Sequence, residues 1–402
     1  MILNDICEFI VDCPHTTAPD EGAGYPLIRT PNIGKGRLVL NGVHRVSEKV
    51  YRQRIQRGMP QDNDLIFARE APAGNVAIVK NGEKVCLGQR TVLLRPDKSK
   101  VCPDYLVYYI LAPAQQYKLL GTANGATVAH VNLPVIRNMP VELPPLEVQE
   151  IVAGYLSAYD NLIENNQKQI KLLEEVAQRL YKEWFVDLRF PGYEDTPIVD
   201  GVPEGWEIRP SSDVFTFIRG KSYTSKELSN NQGTLMVNLK NISAFGGYNR
   251  NAEKRFTGKY KEEQQLTPGD IIMGVTDMTQ ERRLVGHTAM VPDLKEKMTF
   301  SMDLIKLIPI SVSKNYLYGT MLYGGFSYKI SPLANGVNVL HLKPEAIMNL
   351  PILVPSSSVM EAFDNVFNPI CFRIESLQEQ IDVASEARDR LLPKLMSGEI
   401  EV

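Results

Sequence analysis

Ala123-Asn124-Gly125-Ala126-Thr127-Val128-Ala129-His130 and Ala334-Asn335-Gly336-Val337-Asn338-Val339-Leu340-His341 are two spellings of one segment, 211 positions apart. The same shift, without a gap, pairs Ile136 with Ile347, Asn138 with Asn349, Pro140 with Pro351 and Pro144 with Pro355. It continues through Ile163 and Ile374, Gln167 and Gln378, Ile170 and Ile381, and Arg179 and Arg390. Chance does not hold one register over such a span. The period also lies far beyond the roughly 20–50 residues of a solenoid unit. The chain is a duplicated domain followed each time by a helix, and two copies of one binding domain imply two things bound.

Outward from the repeat, residues 146–190 read as one long amphipathic helix. Leu156, Tyr159, Ile163, Asn166, Ile170, Leu173, Ala177, Leu180 and Trp184 recur at alternating spacings of three and four, the pattern of a coiled-coil seam. Pro144-Pro145 and Glu147 mark its start, and Pro191-Gly192 its end. The shift carries the seam onto Phe367, Ile370, Ile374, Leu377, Ile381, Ala384, Arg388, Leu391 and Leu395. Two seams of equal length are satisfied by pairing with each other, antiparallel, with Asn166 as the polar residue that fixes register. Glu147 to Trp184 spans roughly 57 Å at ~1.5 Å per residue, longer than closing a core requires, so the pair reads as a rigid spacer.

A chain of 402 residues exceeds what one core fills, so two globular domains are expected. No apolar run approaches the ~18 residues of a membrane span, and no signal peptide opens the chain; a cytoplasmic protein with no membrane partner is expected. The five cysteines, Cys7, Cys13, Cys86, Cys102 and Cys371, are scattered and odd in number, which points to buried free thiols. The net charge of −3 is unevenly spread. Residues 1–145 carry 17 Lys and Arg against 13 Asp and Glu, and residues 191–355 carry 18 against 17. Residues 146–190 carry 5 against 8, and residues 356–402 carry 4 against 9. The helices are acidic and the globular parts neutral to mildly basic, which permits phosphate contact without a strong electrostatic footprint.

Both globular halves mix short strands with turns. Leu65-Ile66-Phe67 and Ile271-Ile272-Met273 follow turn residues, and Val76 to Val79 and Thr91 to Leu94 read as further strands about a turn at Asn81-Gly82. Tyr105 to Leu111 reads as a short helix, repeated at Tyr316 to Leu322. The expected fold is α+β: two tandem, pseudo-symmetric recognition domains joined by two long antiparallel coiled-coil helices. The boundaries read as 1–145 for the first domain, 146–190 for the first helix, 191–202 for a linker, 203–355 for the second domain and 356–402 for the second helix.

Catalytic constellations are absent from the sequence. Gly220-Lys221-Ser222 ends like a phosphate-binding loop, but Phe215 stands where the leading glycine belongs. There is no Asn-Pro-Pro-aromatic tetrapeptide and no glycine-rich nucleotide loop. No Glu-x-Lys stands at a useful distance from Asp97 or Asp104 for a metal-dependent nuclease. His15, His44, His130, His287 and His341 show no metal-ligand spacing, and the repeated pair His130 and His341 reads as buried and structural. No catalytic residue, metal site or cofactor is therefore expected in this chain.

Loops suited to reading DNA are present. Arg29, Thr30 and Asn32, with Lys35 and Arg37, align at a shift of 209 with Asn238, Lys240 and Asn241, so that Asn32 matches Asn241. Arg69 to Asn75 follows a strand, and its counterpart holds Thr276, Asp277, Thr279, Gln280, Glu281, Arg282 and Arg283. Gln89, Arg90 and the basic-loop Lys221 complete the candidates. Arginine pairs with guanine and asparagine or glutamine with adenine in the major groove, though each of these residues also serves turns and solvated surface. The halves share a frame and differ in these loops, as two readers of different sequences should.

At the junctions the chain resembles the specificity subunit of type I restriction-modification systems. Leu143-Pro144-Pro145-Leu146-Glu147-Val148-Gln149, running on to Ile151, Leu156, Asp160 and Ile163, carries the resemblance. So do Val202-Pro203-Glu204-Gly205-Trp206-Glu207 and the closing Leu391-Leu392-Pro393-Lys394-Leu395-Met396-Ser397-Gly398-Glu399-Ile400. The chain departs from the pattern at Met1-Ile2-Leu3, which lacks the Gly-Trp lead, and at Val354-Pro355-Ser356-Ser357. The resemblance implies a non-catalytic subunit whose domains each bind half of a bipartite, asymmetric duplex DNA target. It implies two methylation subunits, using S-adenosylmethionine, docked on the helices, and restriction subunits using ATP and Mg. Competing readings are a methylation-only or related phage-defence system, a two-module scaffold without DNA, and an enzyme with a diverged site.

Overall fold

The computed structural model describes residues 1–80, 82–121, 130–244, 246–277, 283–336 and 339–402. The chain divides into two compact units, Met1–Gln167 with Glu379–Val402, and Lys168–Gln378. Each unit holds one globular domain and a part of both long helices, Leu146–Tyr181 and Ser357–Ser397.

In the first unit the middle layer is a five-stranded sheet. Its order is Cys7–Asp12, Thr91–Pro96, Leu65–Ala68, Val76–Ile78, Gly36–Arg37. Pairing is antiparallel except at the last edge, where Gly36–Arg37 runs parallel to Val76–Ile78. Alternate residues go to opposite faces. Leu65, Phe67, Val76, Ile78, Val92 and Leu94 pack with Leu106 and Ile110 of the helix Pro103–Leu111 and with Val152 and Leu156 of the first long helix. Ile66, Ala68, Ala77 and Leu93 pack with Ile28 and Leu87, which belong to a three-stranded sheet of Arg45–Val46, Tyr25–Ile28 and Cys86–Leu87. A strand covered on both faces carries an unbroken apolar run, which is why Leu65-Ile66-Phe67 shows no alternation. The strands Val76–Ile78 and Thr91–Pro96 do not pair with each other. They flank Leu65–Ala68 on either side, because the chain between them detours through Cys86–Leu87 in the second sheet.

The second unit repeats this plan. A four-stranded sheet runs Phe215–Arg219, Leu304–Pro309, Ile271–Gly274, Thr288–Met290. Ile271, Met273, Ile305 and Leu307 face Tyr316 and Leu317 of the helix Lys314–Tyr323. Ile272, Ala289 and Leu304 face Val237 and Phe300 of a five-stranded sheet. The parallel pair Tyr25–Ile28 and Cys86–Leu87 recurs as Thr234–Val237 and Met298–Phe300. The duplication is thus one of topology as well as of sequence.

The seam residues lie where their spacing places them. Leu156, Ala177, Phe367, Leu377, Ile381, Ala384 and Leu395 are buried. Tyr159, Ile163, Ile170, Leu173, Leu180, Trp184, Ile370, Ile374, Arg388 and Leu391 are half-buried. Within each unit the two helices run antiparallel. In the first, Asp160 meets Arg388 and Asn166 meets Gln380; in the second, Gln169 meets Arg373 and the Trp184 ring lies 5.9 Å from Phe363. The first helix widens into a π turn over Lys182–Val186, and Leu188 takes a left-handed φ of 58°, so the helix ends before Pro191. Tyr181 and Phe185, four residues apart across that turn, both pack in the core. Cys13 and Cys86 are buried, Cys7, Cys102 and Cys371 are half-buried, and all five are free thiols. Among the described residues no helix is long and apolar enough to cross a membrane.

Three polar side chains close the seam in the first unit. Arg388 Nη1 lies 2.6 Å from Asp160 Oδ1, and the Tyr108 hydroxyl donates to Asp160 Oδ2 at 2.6 Å. Asp160 is 4% exposed, so its charge is met inside the protein and not by water. Burial, and then the carboxylate it faces, push the Tyr108 phenol well above the usual tyrosine range. Nearby, Asn166 donates to Gln380 Oε1 at 3.0 Å. The shift of 211 places Gly319, Cys371 and Ala177 at the positions of Tyr108, Asp160 and Arg388, so the triad exists in one half only. Asp160→Ala is expected to destabilise the protein by about 1–3 kcal/mol in urea denaturation, because the buried Tyr108 hydroxyl loses its acceptor and Arg388 keeps only Asp389, at 2.9 Å, as a partner. Tyr108→Phe with Asp160→Leu and Arg388→Met together should recover most of that loss, since no polar group is then stranded.

Candidate nucleic-acid interface

Each middle sheet sends one central strand into a polar loop. Leu65–Ala68 leads into residues 69–75, and Ile271–Gly274 into Val275 and the two-residue strand Thr276–Asp277. The residue after the repeated segment is bonded to this loop in both halves. Val131 donates its backbone N–H to Arg69 O at 2.9 Å, and Leu342 donates its own to Val275 O at 2.8 Å. The loops are therefore held at equivalent places of the repeat register, by Val131 and Leu342.

In the first loop the charges are bound into a network. Arg69 is held by Asp12 Oδ2 at 2.8 Å, by Val131 O at 3.0 Å and by His130 Nε2 at 2.8 Å. Glu70 contacts His130 Nδ1 at 2.5 Å through one oxygen and Arg90 Nη1 at 2.7 Å through the other. Arg69 is thereby committed to the frame. Arg90, on left-handed backbone with φ 64° and with its side chain 60% exposed, is presented to solvent on a Glu70 anchor. Asn75 donates to Ile33 O, and Gln89 to His15 O. His130 is thus half-buried in an ionic cluster, whereas His341 is exposed and its backbone pairs with Asn335 and Thr276; the expectation of two buried histidines is corrected by both.

The matched asparagines do matched work. Asn32 Oδ1 accepts from Arg29 N at 3.2 Å while its amide donates to Val39 O at 3.1 Å. Asn241 Oδ1 accepts from Asn238 N at 2.9 Å while its amide donates to Asn249 O at 2.9 Å. Both close a tight turn beside the parallel strand pair, and Asn238 caps that turn through Lys240 N. Thr30 and Thr276 are buried. Arg37 reaches Asn161 Oδ1 at 3.0 Å and lies 3.9 Å from both Asp104 and Glu164, so it ties the domain to its helix. Arg29 is half-buried, with Nε lacking a hydrogen-bond partner among the described residues. Lys221 is half-buried on a bridge to Ser301. Lys35, Lys240 and Arg283 are exposed. Gln280 and Arg282, with Thr279 and Glu281, lie outside the described residues.

In the second loop Asp277, 2% exposed, accepts from Leu284 N at 2.7 Å. Burial lowers the nearby His287 imidazole below the usual histidine range, against a smaller upward pull from Asp277. The candidates thus separate into a frame (Asn32, Arg69, Asn75, Asn238, Asn241, Thr276) and an exposed set (Lys35, Arg90, Lys240, Arg283). Asp12, Glu70 and His130 hold the frame. Only His130 carried a signal for this in the sequence, as one member of the repeat.

Two copies of one frame, each with its own polar loops and each bound to a part of an antiparallel helix pair, define a two-site recognition protein. The type I restriction modification DNA specificity domain matches residues 1–175 and again 203–369, and the chain belongs to that family. It is similar to the type I restriction enzyme MjaIX specificity subunit of Methanocaldococcus jannaschii, at 26% identity over 95% of this chain and 88% of that protein. It is also similar to the HindI specificity subunit of Haemophilus influenzae, at 20% identity over 84% of this chain and 86% of that one. The crystal structure of a type I restriction-modification S subunit from M. genitalium shares the fold, with a TM-score of 0.59 and 13% identity over 98% of this chain and 95% of that chain.

Asn32→Ala and Asn241→Ala are each expected to cost about 1–3 kcal/mol in denaturation, the price of stranding turn groups, while leaving any recognised DNA sequence unchanged. A new sequence preference in either variant would show that these amides read bases instead.

Proposed function

We propose that the chain is the DNA sequence-specificity subunit of a type I restriction-modification assembly. Each domain binds one half of a bipartite, asymmetric target, and the helix pair sets the gap between the halves. The observation that carries this reading is the equivalence of the two frames set against the difference of their loops, within a family match that covers both halves. The exposed Lys35, Arg90, Lys240 and Arg283 are its first candidates for phosphate and base contact. The chain itself performs no chemistry in this reading. Adenine methylation with S-adenosylmethionine belongs to methylation subunits docked on the helices, and ATP- and Mg-dependent cleavage to restriction subunits.

The deciding experiment is modification mapping of genomic DNA from cells carrying the chain with its neighbouring methylation subunit, against cells lacking the chain. A methylated-adenine motif in two short parts with a fixed gap is the expected result. Absence of any chain-dependent motif, with both proteins soluble, would overturn the reading in favour of a scaffold.

The spacer role has its own test. Removing one heptad from both helices keeps the seam in phase and shortens the pair by roughly 10 Å, or about 3 bp at ~3.4 Å per base pair. The gap in the mapped motif should contract by that amount. An unchanged gap would mean that something other than the helices measures it.

A further inference from the structure

The strand register of the two middle sheets matches residues that the sequence shift keeps apart. Ala68 pairs with Thr91 at the end of the central strand, as Gly274 pairs with Leu304. One step further, Arg69 N donates to Arg90 O at 2.9 Å, and Val275 N donates to Asp303 O at 2.9 Å. The carbonyls of Arg69 and Val275 accept in turn from Val131 and Leu342, which fixes the equivalence from the other side. Arg90 and Asp303 therefore hold one place in the frame. The shift of 211 sets Arg90 against Ser301, so only the fold brings this correspondence out.

The side chains at that place carry opposite charge, and their supports change with them. Arg90 Nη1 lies 2.7 Å from Glu70 Oε2, and the other Glu70 oxygen meets His130. The glutamate side chain is 16% exposed and the arginine 60%, so an inner acid presents an outer cation. In the second half the residue that matches Glu70 is Thr276, which is buried, and the half-buried Asp303 accepts from Ser301 Oγ at 3.3 Å. A glutamate at 276 would set like charge beside Asp303, and a threonine at 70 would leave Arg90 without its anchor. Anchor and presented charge have thus changed together. A strand end that only closed the sheet would need neither. Arginine donates to guanine O6 and N7 in the major groove, whereas aspartate accepts from the cytosine N4 amino group. A carboxylate brought near phosphates is repelled unless a base donor meets it, so an acid at a DNA-facing position is selective by nature.

We infer that the place shared by Arg90 and Asp303 determines specificity in both domains, Arg90 reading a guanine in one half-site and Asp303 a cytosine in the other. Glu70 is a positioning residue. It holds one nitrogen of Arg90 and leaves the rest of the five-donor fork to the base. The inference rests on the function proposed above and assigns base identities that the function alone does not.

The test uses the full chain assembled with its methylation subunit, once the parent motif has been mapped. Arg90→Gly, which suits the φ of 64°, should relax one G·C pair in one half of the motif and leave the other half unchanged. Asp303→Ala should relax one G·C pair in the opposite half. In binding to matched and singly mismatched duplexes, each should lower discrimination at its own pair by about tenfold to a hundredfold. Glu70→Gln should lower discrimination at the Arg90 pair alone, and by less than Arg90→Gly does. An unchanged motif in Arg90→Gly, with uniformly weaker binding and a lower slope of log affinity against log salt, would overturn the inference by making Arg90 a phosphate contact. Asp303→Ala that tightens binding to every duplex alike would overturn it too, as would a parent motif lacking a G·C pair in either half. A parent assembly that installs no motif at all would fail the proposed function and this inference with it, an outcome distinct from these.

Discussion

A carboxylate buried between two helices must be met by a cation at one position on the opposing helix, and the first unit is organised around that condition. Asp160 is satisfied by Arg388 from the antiparallel neighbour and by Tyr108 from the domain. The contact therefore joins three elements at one point. A slip of the second helix by one turn would move Arg388 about 5.4 Å along the axis and strand the charge. With the register fixed, Leu395 falls into the core that Leu156 and Val152 share with the middle sheet. The apolar seam supplies the attraction, and the polar contacts choose among the registers that attraction would allow.

On that support the two domains separate what must be constant from what must vary. The packing of a middle sheet between a helix and a second sheet, the parallel strand pair, the turn closed by Asn32 or Asn241, and the backbone bond from Val131 or Leu342 to the central loop recur in both halves. The side chains on the loops are not. In the first half Asp12, Glu70 and His130 organise arginines; in the second the equivalent strand end presents Thr276 and Asp277, tied to the backbone at His341 and Leu284. A rigid scaffold carrying changeable loops is the general arrangement by which one fold serves many ligands.

The long helices were legible because periodicity is a backbone property expressed over many residues. Leu156 to Trp184 keeps its spacing without needing any tertiary partner to be known. Asp160 was not legible as part of the seam, because a carboxylate next to Tyr159 reads as the solvated flank until its partner 228 residues away is seen. The asparagines show the opposite limit. An amide that closes a turn and an amide that reads adenine are the same residue type in the same loop, and only the geometry of donors and acceptors separates them. Arg69 was read as a base-contacting group for the same reason, although three partners already hold it.

The one-sided triad has a consequence for kinship between the halves. Duplication produces two helices that begin as self-complementary, each able to pair with its own kind. In this chain the position facing Asp160 is filled by Arg388 on the sister helix, but its counterpart on the first helix is Ala177. Two first helices set together in the same geometry would each bury an orphaned carboxylate, and two second helices would set Arg388 against Cys371. The seam thus tells self from sibling. It leaves the first half compatible with the second and discordant with another first, a lock and its key where the ancestral repeat held two alike.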